Sequence, residues 1–227
     1  MTATHPFLAA LFDLDGTLTT VPSFWQHLHE VLALWDGDAE AYQEQFRSGA
    51  IDYSTFCLLD AARWKGKRVR DLQRIADAVT LRPGAREIRA ILRDRGMKVG
   101  VISTGLTLLA ERIHRELNLD FTIANRLVAK KGYFTGEVKI NVEHGHKDDA
   151  VELFCNQFGI PSARVIAVGD SAGDVSMFRA VGFSVALNPA DAEAERAASA
   201  VCRGDDLRDL LLHFPMDPES NGKEEIH

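Results

Sequence analysis

The hydrophobic pattern of the chain changes between short apolar runs and longer segments with helical periodicity. Residues 7–11, Phe-Leu-Ala-Ala-Leu, form a bounded apolar run without a helical period, which is typical of a buried strand. Residues 22–35 then place aromatic and aliphatic side chains on one face of a predicted helix. Three further helices are predicted at about 38–48, 53–64 and 68–79.

From residue 84 onward the predicted helices and strands alternate. Strands are predicted at 97–102, 121–125, 164–168 and 183–187, a hairpin at 127–140, and helices at about 84–95, 106–117, 147–158, 173–181, 190–197 and 206–213. This alternation predicts an α/β fold, a Rossmann-like, doubly wound parallel sheet. The helical stretch 19–81 is too long for a loop, so we interpret it as an inserted helical cap over a core formed by residues 1–18 and 82–214. The polar tail, 215–227, is expected to be disordered.

Composition and charge restrict the class of protein and its partners. The chain has 227 residues, is 46% hydrophobic, and carries a net charge of −7 from 33 acidic and 26 basic residues. This charge argues against nucleic acid or an anionic membrane as the main partner. There is no signal peptide pattern, no apolar run of the ~20 residues that span a bilayer, and no paired cysteine motif. We therefore expect a cytoplasmic protein of unspecified oligomeric state.

The most informative motif is Phe12-Asp13-Leu14-Asp15-Gly16-Thr17, directly after the first predicted strand. Because Asp is rare within strands, the two carboxylates are expected at the carboxyl end of the strand, where open α/β sheets bind ligands. Gly16 allows a sharp turn and a close approach of backbone N–H groups to a ligand. The hexamer by itself also fits a turn that caps the next helix.

Two further segments carry groups suited to an anion. Ser103-Thr104-Gly105 follows a predicted strand, where hydroxyls, N–H groups and a helix dipole favour a phosphate, although an ordinary N-cap also fits. Lys147 begins a predicted helix, an unfavourable place for a cation unless it faces an anion. A solvated lysine is the simpler reading of Lys147 taken alone, and we interpret His144 and His146 as bystanders.

A second acidic strand end follows residues 165–168, in the segment Gly169-Asp170-Ser171-Ala172-Gly173-Asp174. An acidic N-cap and first helical turn would explain this segment on its own. If the four carboxylates of the two strand ends meet at one edge of the sheet, they repel each other unless a cation lies between them. Oxygen ligands beside a phosphate suit Mg²⁺. These four residues are Asp13, Asp15, Asp170 and Asp174.

Together, these motifs resemble in order and spacing the four motifs of the haloacid dehalogenase-like hydrolase superfamily, over nearly the whole chain to about residue 214. The segments 124–127 (Ala-Asn-Arg-Leu), 135–137 (Thr-Gly-Glu) and 168–174, with the helical cap, are similar to the phosphoserine-phosphatase-like branch. The resemblance implies a Mg²⁺-dependent hydrolase of a small phosphomonoester that works through an aspartyl phosphate. An Asp at position 15 favours a phosphatase over a dehalogenase.

The resemblance also implies a role for each motif residue. Asp13 would be the nucleophile, Asp15 the general acid and base, and Ser103 and Lys147 would hold the phosphoryl oxygens. The metal would be bound by Asp13, Asp170 and the backbone carbonyl of Asp15, and by Asp174 either directly or through water, with Asp174 also orienting Lys147. The remaining phosphate- or substrate-binding positions implied are Gly16, Thr104, Gly105 and Ser171.

The cap departs from the phosphoserine phosphatase pattern. Pro22 stands where those enzymes use a glutamate for the substrate ammonium, and Leu58 stands where they use an arginine for the carboxylate. We therefore expect a small phosphomonoester other than phosphoserine, with phosphoserine phosphatase activity or a phosphotransferase as alternatives. A phosphoaccepting signalling domain fits less well, because such domains lack an Asp two residues after the acceptor Asp, as Asp15 is here, and lack a helical insertion at that point. A non-catalytic scaffold is disfavoured by the complete set of motifs.

Overall fold

The computed structural model describes residues 6–215, and the predicted tail lies almost entirely outside them. A seven-stranded sheet has the order β4-β3-β2-β1-β5-β6-β7 and is parallel except for the antiparallel pair β3 and β4. The strands are β1 Ala9–Phe12, β2 Lys98–Leu106, β3 Phe121–Lys130, β4 Tyr133–Lys139, β5 Val165–Gly169, β6 Phe183–Leu187 and β7 Ala200–Cys202. The helices are α1 Phe24–Val31, α2 Gly37–Arg47, α3 Tyr53–Arg63, α4 Val69–Ala78, α5 Ala85–Asp94, α6 Thr107–Leu117, α7 Lys147–Phe158, α8 Val175–Ala180 and α9 Ala192–Ala197. The predicted α/β class and doubly wound sheet are confirmed.

The first strand lies in the middle of the sheet and is buried on both faces. Its side chains alternate between two hydrophobic clusters: Ala10 and Phe12 face one, and Ala9 and Leu11 face the other. A strand with two covered faces has no polar side, which explains why its sequence is continuously apolar. The residue after it, Asp13, therefore emerges at the centre of the sheet edge.

Several predicted boundaries differ from the structure. Strand β2 continues through Ser103 to Leu106, with an irregular register against β3 after Ile102. The predicted last helix is a 3₁₀ segment, Leu207–Leu212, whose start is capped by Asp206. The short edge strand β7 was not predicted, because three residues carry too little alternation to be recognised. The hairpin is present, and Lys131 and Gly132 at its turn both have positive φ.

The segment of residues 19–81, which we call the cap segment, contains α1 to α4 and packs on one face of the sheet. Phe24, Trp25, Phe56 and Trp64 belong to the same hydrophobic cluster as Phe12. The segment is also held by backbone hydrogen bonds to β4, from the N–H of Gly66 and to the carbonyl of Lys67. No helix within residues 6–215 combines the length and the apolar character needed to cross a membrane.

The packing of the cap segment predicts a large cost for removing its central aromatic ring. Trp64 is fully buried and stacks on Trp25 with ring centroids 5.4 Å apart. We expect Trp64→Ala to lower the free energy of unfolding by about 3–5 kcal/mol in urea denaturation. The control is Leu58→Ala, because Leu58 is 50% exposed on α3, and its effect should stay within about 0.5 kcal/mol. A loss below about 1 kcal/mol for Trp64→Ala would contradict this packing.

Candidate active site

Three strand ends meet at one edge of the sheet and bring the predicted motifs together. Asp13 follows β1, Asp170 follows β5, and Ser103 lies near the end of β2. The two neighbours of β1 are β2 and β5, so the three segments are adjacent. The N–H of Asp13 donates to the carbonyl of Val168 at 2.8 Å, which extends the pairing of the strands up to Asp13. The arrangement is the ligand-binding edge expected for a parallel sheet.

The turn after β1 carries the carboxylates of Asp13 and Asp15 and points them in different directions. Gly16 has a φ of +78°, and a Cβ atom there would lie 2.5 Å from Asp170 Oδ2, so only glycine fits. Arg82, the first residue after the cap segment, holds this turn by donating to the carbonyls of Gly16 (2.6 Å) and Thr17 (2.9 Å). Thr17 in turn donates to Asp170 Oδ1 at 3.1 Å.

Lys147 is the central charge of the site. Its side chain is only 2% exposed, and its Nζ lies 2.5 Å from Asp13 Oδ1 and 2.6 Å from Asp174 Oδ1. Burial would lower the pKa of Lys147, but the two carboxylates raise it above its usual value, so the ammonium stays charged. The reading of Lys147 as a solvated residue is therefore wrong. Its position at the start of α7 is compensated by these two anions.

Asp174 is fixed by backbone groups on its second oxygen. The N–H groups of Asp170 and Ser171 both donate to Asp174 Oδ2 at 3.0 Å, and the Ser171 hydroxyl lies 3.4 Å from the same atom. Gly169 makes room for this carboxylate, since a Cβ there would lie 2.4 Å from Asp174 Cγ. Asp174 therefore connects the turn after β5 to Lys147.

Three carboxylates form a group that suits a divalent cation. Ligand oxygens of Asp13, Asp170 and Asp174 lie within 4.8 Å of one another, and Asp15 contributes no carboxylate oxygen to this group. Burial raises the pKa of Asp13 well above its usual range, against the opposing charge of Lys147. Burial, with the nearby Asp174, also raises the pKa of Asp170 to about 7. One ammonium group does not compensate three carboxylates, of which Asp13 and Asp174 are buried and Asp170 is half-buried, so the donor set fits an additional hard cation.

The side chain of Asp15 points away from this group and toward the cap segment. Its Oδ2 accepts a hydrogen bond from the N–H of Phe24, at the start of α1, at 2.9 Å. Its Oδ1 is buried and has no hydrogen-bond partner among residues 6–215. Burial raises the pKa of Asp15 to about 6, against the lowering effects of the Phe24 N–H and Lys147. A carboxyl with such a pKa can exchange a proton near neutral pH.

The segment from Ser103 to Gly105 lies against Asp15. Ser103 is buried, and its Oγ accepts a hydrogen bond from the N–H of Gly105 at 2.9 Å. A Cβ at position 105 would lie 2.9 Å from Asp15 Oδ2, so the glycine allows a close approach of this segment to the carboxylate. Ser103 and Asp15 are thus neighbours through Gly105.

A cavity of about 590 Å³ separates the cap segment from the core beside these residues. Pro22, Phe46 and Tyr53 line it from the cap segment, and Thr104 and Ser171 line it from the core. His144 also lines this cavity, in an edge-on contact with Phe46 at 5.2 Å, and it is not part of the carboxylate group. The cavity offers a space next to the charged site whose walls combine aromatic side chains with polar and charged ones, among them Gln43 and Arg47.

Sequence reasoning did not identify Arg82, the Phe24 N–H or Tyr53 as parts of the site. In the sequence, Arg82 stands in an Arg-Pro-Gly break between two predicted helices, and a backbone N–H carries no residue-type signal. The sequence did offer one signal for Arg82. It is a cation at the point where the chain leaves the cap segment, and the carbonyls of the Gly16 turn, which lack strand partners, need a donor.

Comparisons with known proteins agree with this geometry. Residues 10–179 match the family model described as HAD, haloacid dehalogenase-like hydrolase. The phosphoserine phosphatase SerB2 of Mycobacterium tuberculosis is 32% identical over 195 residues, which cover 84% of this chain and 46% of the relative. The phosphoserine phosphatase of Methanocaldococcus jannaschii is 28% identical over 205 residues, 90% of this chain and 96% of the relative. The chain thus spans about half the length of the first relative and nearly all of the second.

A solved structure supports the same assignment. The structure described as a phospho-aspartyl intermediate analogue of phosphoserine phosphatase has a TM-score of 0.80 and 26% identity, covering 92% of this chain and 99% of that one. The predicted resemblance to the superfamily and to its phosphoserine-phosphatase-like branch is confirmed.

The carboxylate group predicts that the metal-free protein is destabilised by its own charge at high pH. The pKa of Asp170 in the folded protein, about 7, exceeds the ordinary aspartate pKa of about 3.8, so the cost of ionising it builds up as the pH rises from about 4 and is complete above about 7. At pH 8 without metal, Asp170→Asn should raise the melting temperature by about 2–4 °C, the shift for 1 kcal/mol in a chain of this size. At pH 5 it should give no gain.

Mg²⁺ provides the second arm of this measurement. It should raise the melting temperature of the unsubstituted protein at pH 8 and have little effect on Asp170→Asn, because the cation compensates the charge that the substitution removes. Equal melting of the two proteins at pH 8, or full stabilisation of Asp170→Asn by Mg²⁺, would contradict the charge cluster.

The close approach at Gly169 predicts a second measurable effect. Gly169→Ala places a methyl group against Asp174 and should weaken Mg²⁺ binding by about tenfold or more in calorimetric titration, because the carboxylate is displaced. Gly37→Ala is the matched control: position 37 starts α2, has nothing within 4 Å of the added methyl, and should leave Mg²⁺ binding unchanged. Unaltered affinity in Gly169→Ala would show that Asp174 does not need this position.

Proposed function

We propose that this chain, which belongs to the haloacid dehalogenase-like hydrolase family, hydrolyses a small phosphomonoester by way of a phosphoryl group carried on Asp13. The observation that carries the proposal is the buried contact of Lys147 with Asp13 and Asp174, beside a carboxylate group suited to a cation. The protein is expected to act in the cytoplasm. Its charge of −7 makes a nucleic acid or membrane partner unfavourable.

The first half of the reaction transfers the phosphoryl group to the protein. A carboxylate oxygen of Asp13 attacks phosphorus, a new oxygen–phosphorus bond forms, and the bond to the leaving alcohol breaks. The ammonium of Lys147 is already in contact with Asp13, so it restrains the nucleophile and reduces the repulsion of the anionic ester. The hydroxyl of Ser103 is proposed to donate to the phosphoryl oxygens, and Gly16, Thr104, Gly105 and Ser171 are proposed to line the space that these oxygens occupy.

Asp15 is proposed to move the proton in both halves. In its protonated form it gives a proton to the leaving alcohol, and as a carboxylate it then takes a proton from the water that attacks the aspartyl phosphate. Its pKa of about 6 makes both forms accessible near neutral pH. The N–H of Phe24 holds Oδ2, which leaves Oδ1 as the oxygen that exchanges the proton.

Mg²⁺ is the proposed cofactor, held by Asp13, Asp170, Asp174 and the backbone carbonyl of Asp15. When bound it supplies positive charge that neutralises the anionic nucleophile and the phosphoryl oxygens. Thr17 and the turn at Gly169 help to position this carboxylate group.

The cavity residues favour a substrate other than phosphoserine. Pro22 lines the cavity at the position where the phosphoserine phosphatase pattern has a glutamate for the substrate ammonium. Leu58, at the position of the arginine for the carboxylate, is half exposed on α3 and does not line the cavity. Asp191 is the acidic residue of the lining. Both its carboxylate oxygens already accept hydrogen bonds, from the N–H groups of Ala172 (2.7 Å) and Ala194 (2.8 Å). We therefore propose a leaving alcohol with an apolar or aromatic body and without a recognised ammonium group.

Phosphate release from a panel of small phosphomonoesters, with Mg²⁺ and with a chelator, tests this proposal. We expect metal-dependent release that Asp13→Asn abolishes and that Asp15→Asn lowers by about 10²–10⁴-fold, the usual contribution of general acid–base catalysis. Asp205→Asn, an exchange at an exposed position, is the control and should retain activity. Substantial activity in Asp13→Asn would disprove the assigned nucleophile, and phosphoserine as the best ester would disprove the interpretation of the cavity.

A further inference from the structure

One backbone carbonyl next to the predicted phosphate-binding serine accepts three hydrogen bonds. The carbonyl oxygen of Thr104 accepts from Tyr53 Oη at 2.7 Å, Asn125 Nδ2 at 3.0 Å and Trp25 Nε1 at 3.1 Å. Tyr53 and Trp25 belong to the cap segment, and Asn125 belongs to β3. A carbonyl has two lone pairs, so three side-chain donors on one oxygen are an unusual concentration.

The opposite end of the same peptide unit acts on Ser103. The N–H of Gly105, in the peptide plane of the Thr104 carbonyl, donates to Ser103 Oγ at 2.9 Å. Because the peptide is planar, fixing the carbonyl direction fixes the direction of this N–H. The N–H occupies a lone pair of Ser103 Oγ, and the serine proton has no acceptor among residues 6–215. The Ser103 hydroxyl is therefore left as a donor for a ligand.

Asn125 makes this arrangement rigid on the core side. The side chain is fully buried, and its Oδ1 accepts from the N–H groups of Asn141 (2.8 Å) and Val142 (2.9 Å). Its Nδ2 also lies 3.0 Å from Tyr53 Oη, so the tyrosine oxygen accepts from Asn125 and donates to Thr104. The core therefore fixes Asn125. The cap segment supplies the two other donors to the Thr104 carbonyl, which are the Tyr53 hydroxyl and the Trp25 indole N–H.

We infer that Tyr53 and Trp25 are positioning residues for the phosphoryl site: their hydrogen bonds to the Thr104 carbonyl orient the Gly105 N–H and, through it, the Ser103 hydroxyl. The inference rests on the proposed function, because it assigns Ser103 to the phosphoryl group. Tyr53 and Trp25 also line the cavity proposed for the leaving alcohol. The same side chains thus contact both the alcohol space and the phosphate-binding segment, which links recognition of the alcohol to the geometry of the phosphoryl site.

Tyr53→Phe tests the inference, because it removes the hydroxyl and keeps the ring. The probes are orthovanadate, a mimic of the phosphoryl group alone, and acetyl phosphate, whose leaving group is only two carbons long. With Mg²⁺ present, we expect calorimetric binding of orthovanadate to weaken by roughly three- to tenfold, the effect of one neutral hydrogen bond. The kcat/KM for acetyl phosphate should fall by a similar factor. Trp25→Phe, which removes the other donor of the cap segment, should act in the same direction.

Tyr42→Phe is the matched control, because Tyr42 also lies in the cap segment and its hydroxyl makes no hydrogen bond within residues 6–215. It should leave both measurements unchanged. Normal orthovanadate binding and normal acetyl phosphate turnover in folded Tyr53→Phe and Trp25→Phe would overturn the inference. A lower melting temperature with unchanged orthovanadate affinity would overturn it as well, since that is the result of a purely structural role.

The wild-type protein separates this inference from the proposed function. If it binds orthovanadate and hydrolyses esters but Tyr53→Phe does so equally well, only the positioning role is wrong. If it binds no orthovanadate and releases no phosphate from any ester, the proposed function is wrong, and the inference with it.

Discussion

The buried ammonium of Lys147 is the interaction on which the rest of the site depends. A charge with 2% exposure is tolerated only when anions surround it, and Asp13 and Asp174 both lie within 2.6 Å of it. The reverse also holds, because three carboxylates this close together require a cation. The sheet edge therefore holds one ammonium and three carboxylates close together, a donor set that suits one further cation.

The sequence allowed the fold class and the central residues of the site to be predicted because both depend on local patterns. A continuous apolar run before Asp13 and another before Asp170 indicate buried parallel strands, and parallel strands bring their carboxyl ends to one edge. The types of residue at those ends, with a serine and a lysine, indicate phosphate chemistry. Lys147 shows the limit of single-residue reasoning: taken alone it was interpreted as solvated, and only its company reveals it as buried.

The rest of the site depends on tertiary contacts that leave no local pattern. Arg82 lies 65 residues beyond the carbonyl of Thr17 that it fixes, and the N–H that holds Asp15 belongs to Phe24, where any residue would supply it. Tyr53 begins a predicted helix, and nothing in the sequence indicates that its hydroxyl reaches the Thr104 carbonyl across 51 residues. The cap segment therefore contributes to the site mainly through hydrogen-bonding groups that its sequence does not distinguish from ordinary packing residues.

The central claim is that the carboxylate paired with Lys147 receives the phosphoryl group. Its most direct test is mass spectrometry of peptides from Asp15→Asn, quenched in acid during reaction with an accepted phosphomonoester. With acetyl phosphate, whose acetate leaving group needs no proton from Asp15, this variant lacks only the base that activates water, so the intermediate should accumulate. The account predicts one added phosphoryl group, located by fragmentation at Asp13. A phosphoryl group found on another residue, or none in a variant that still consumes the ester, would contradict it.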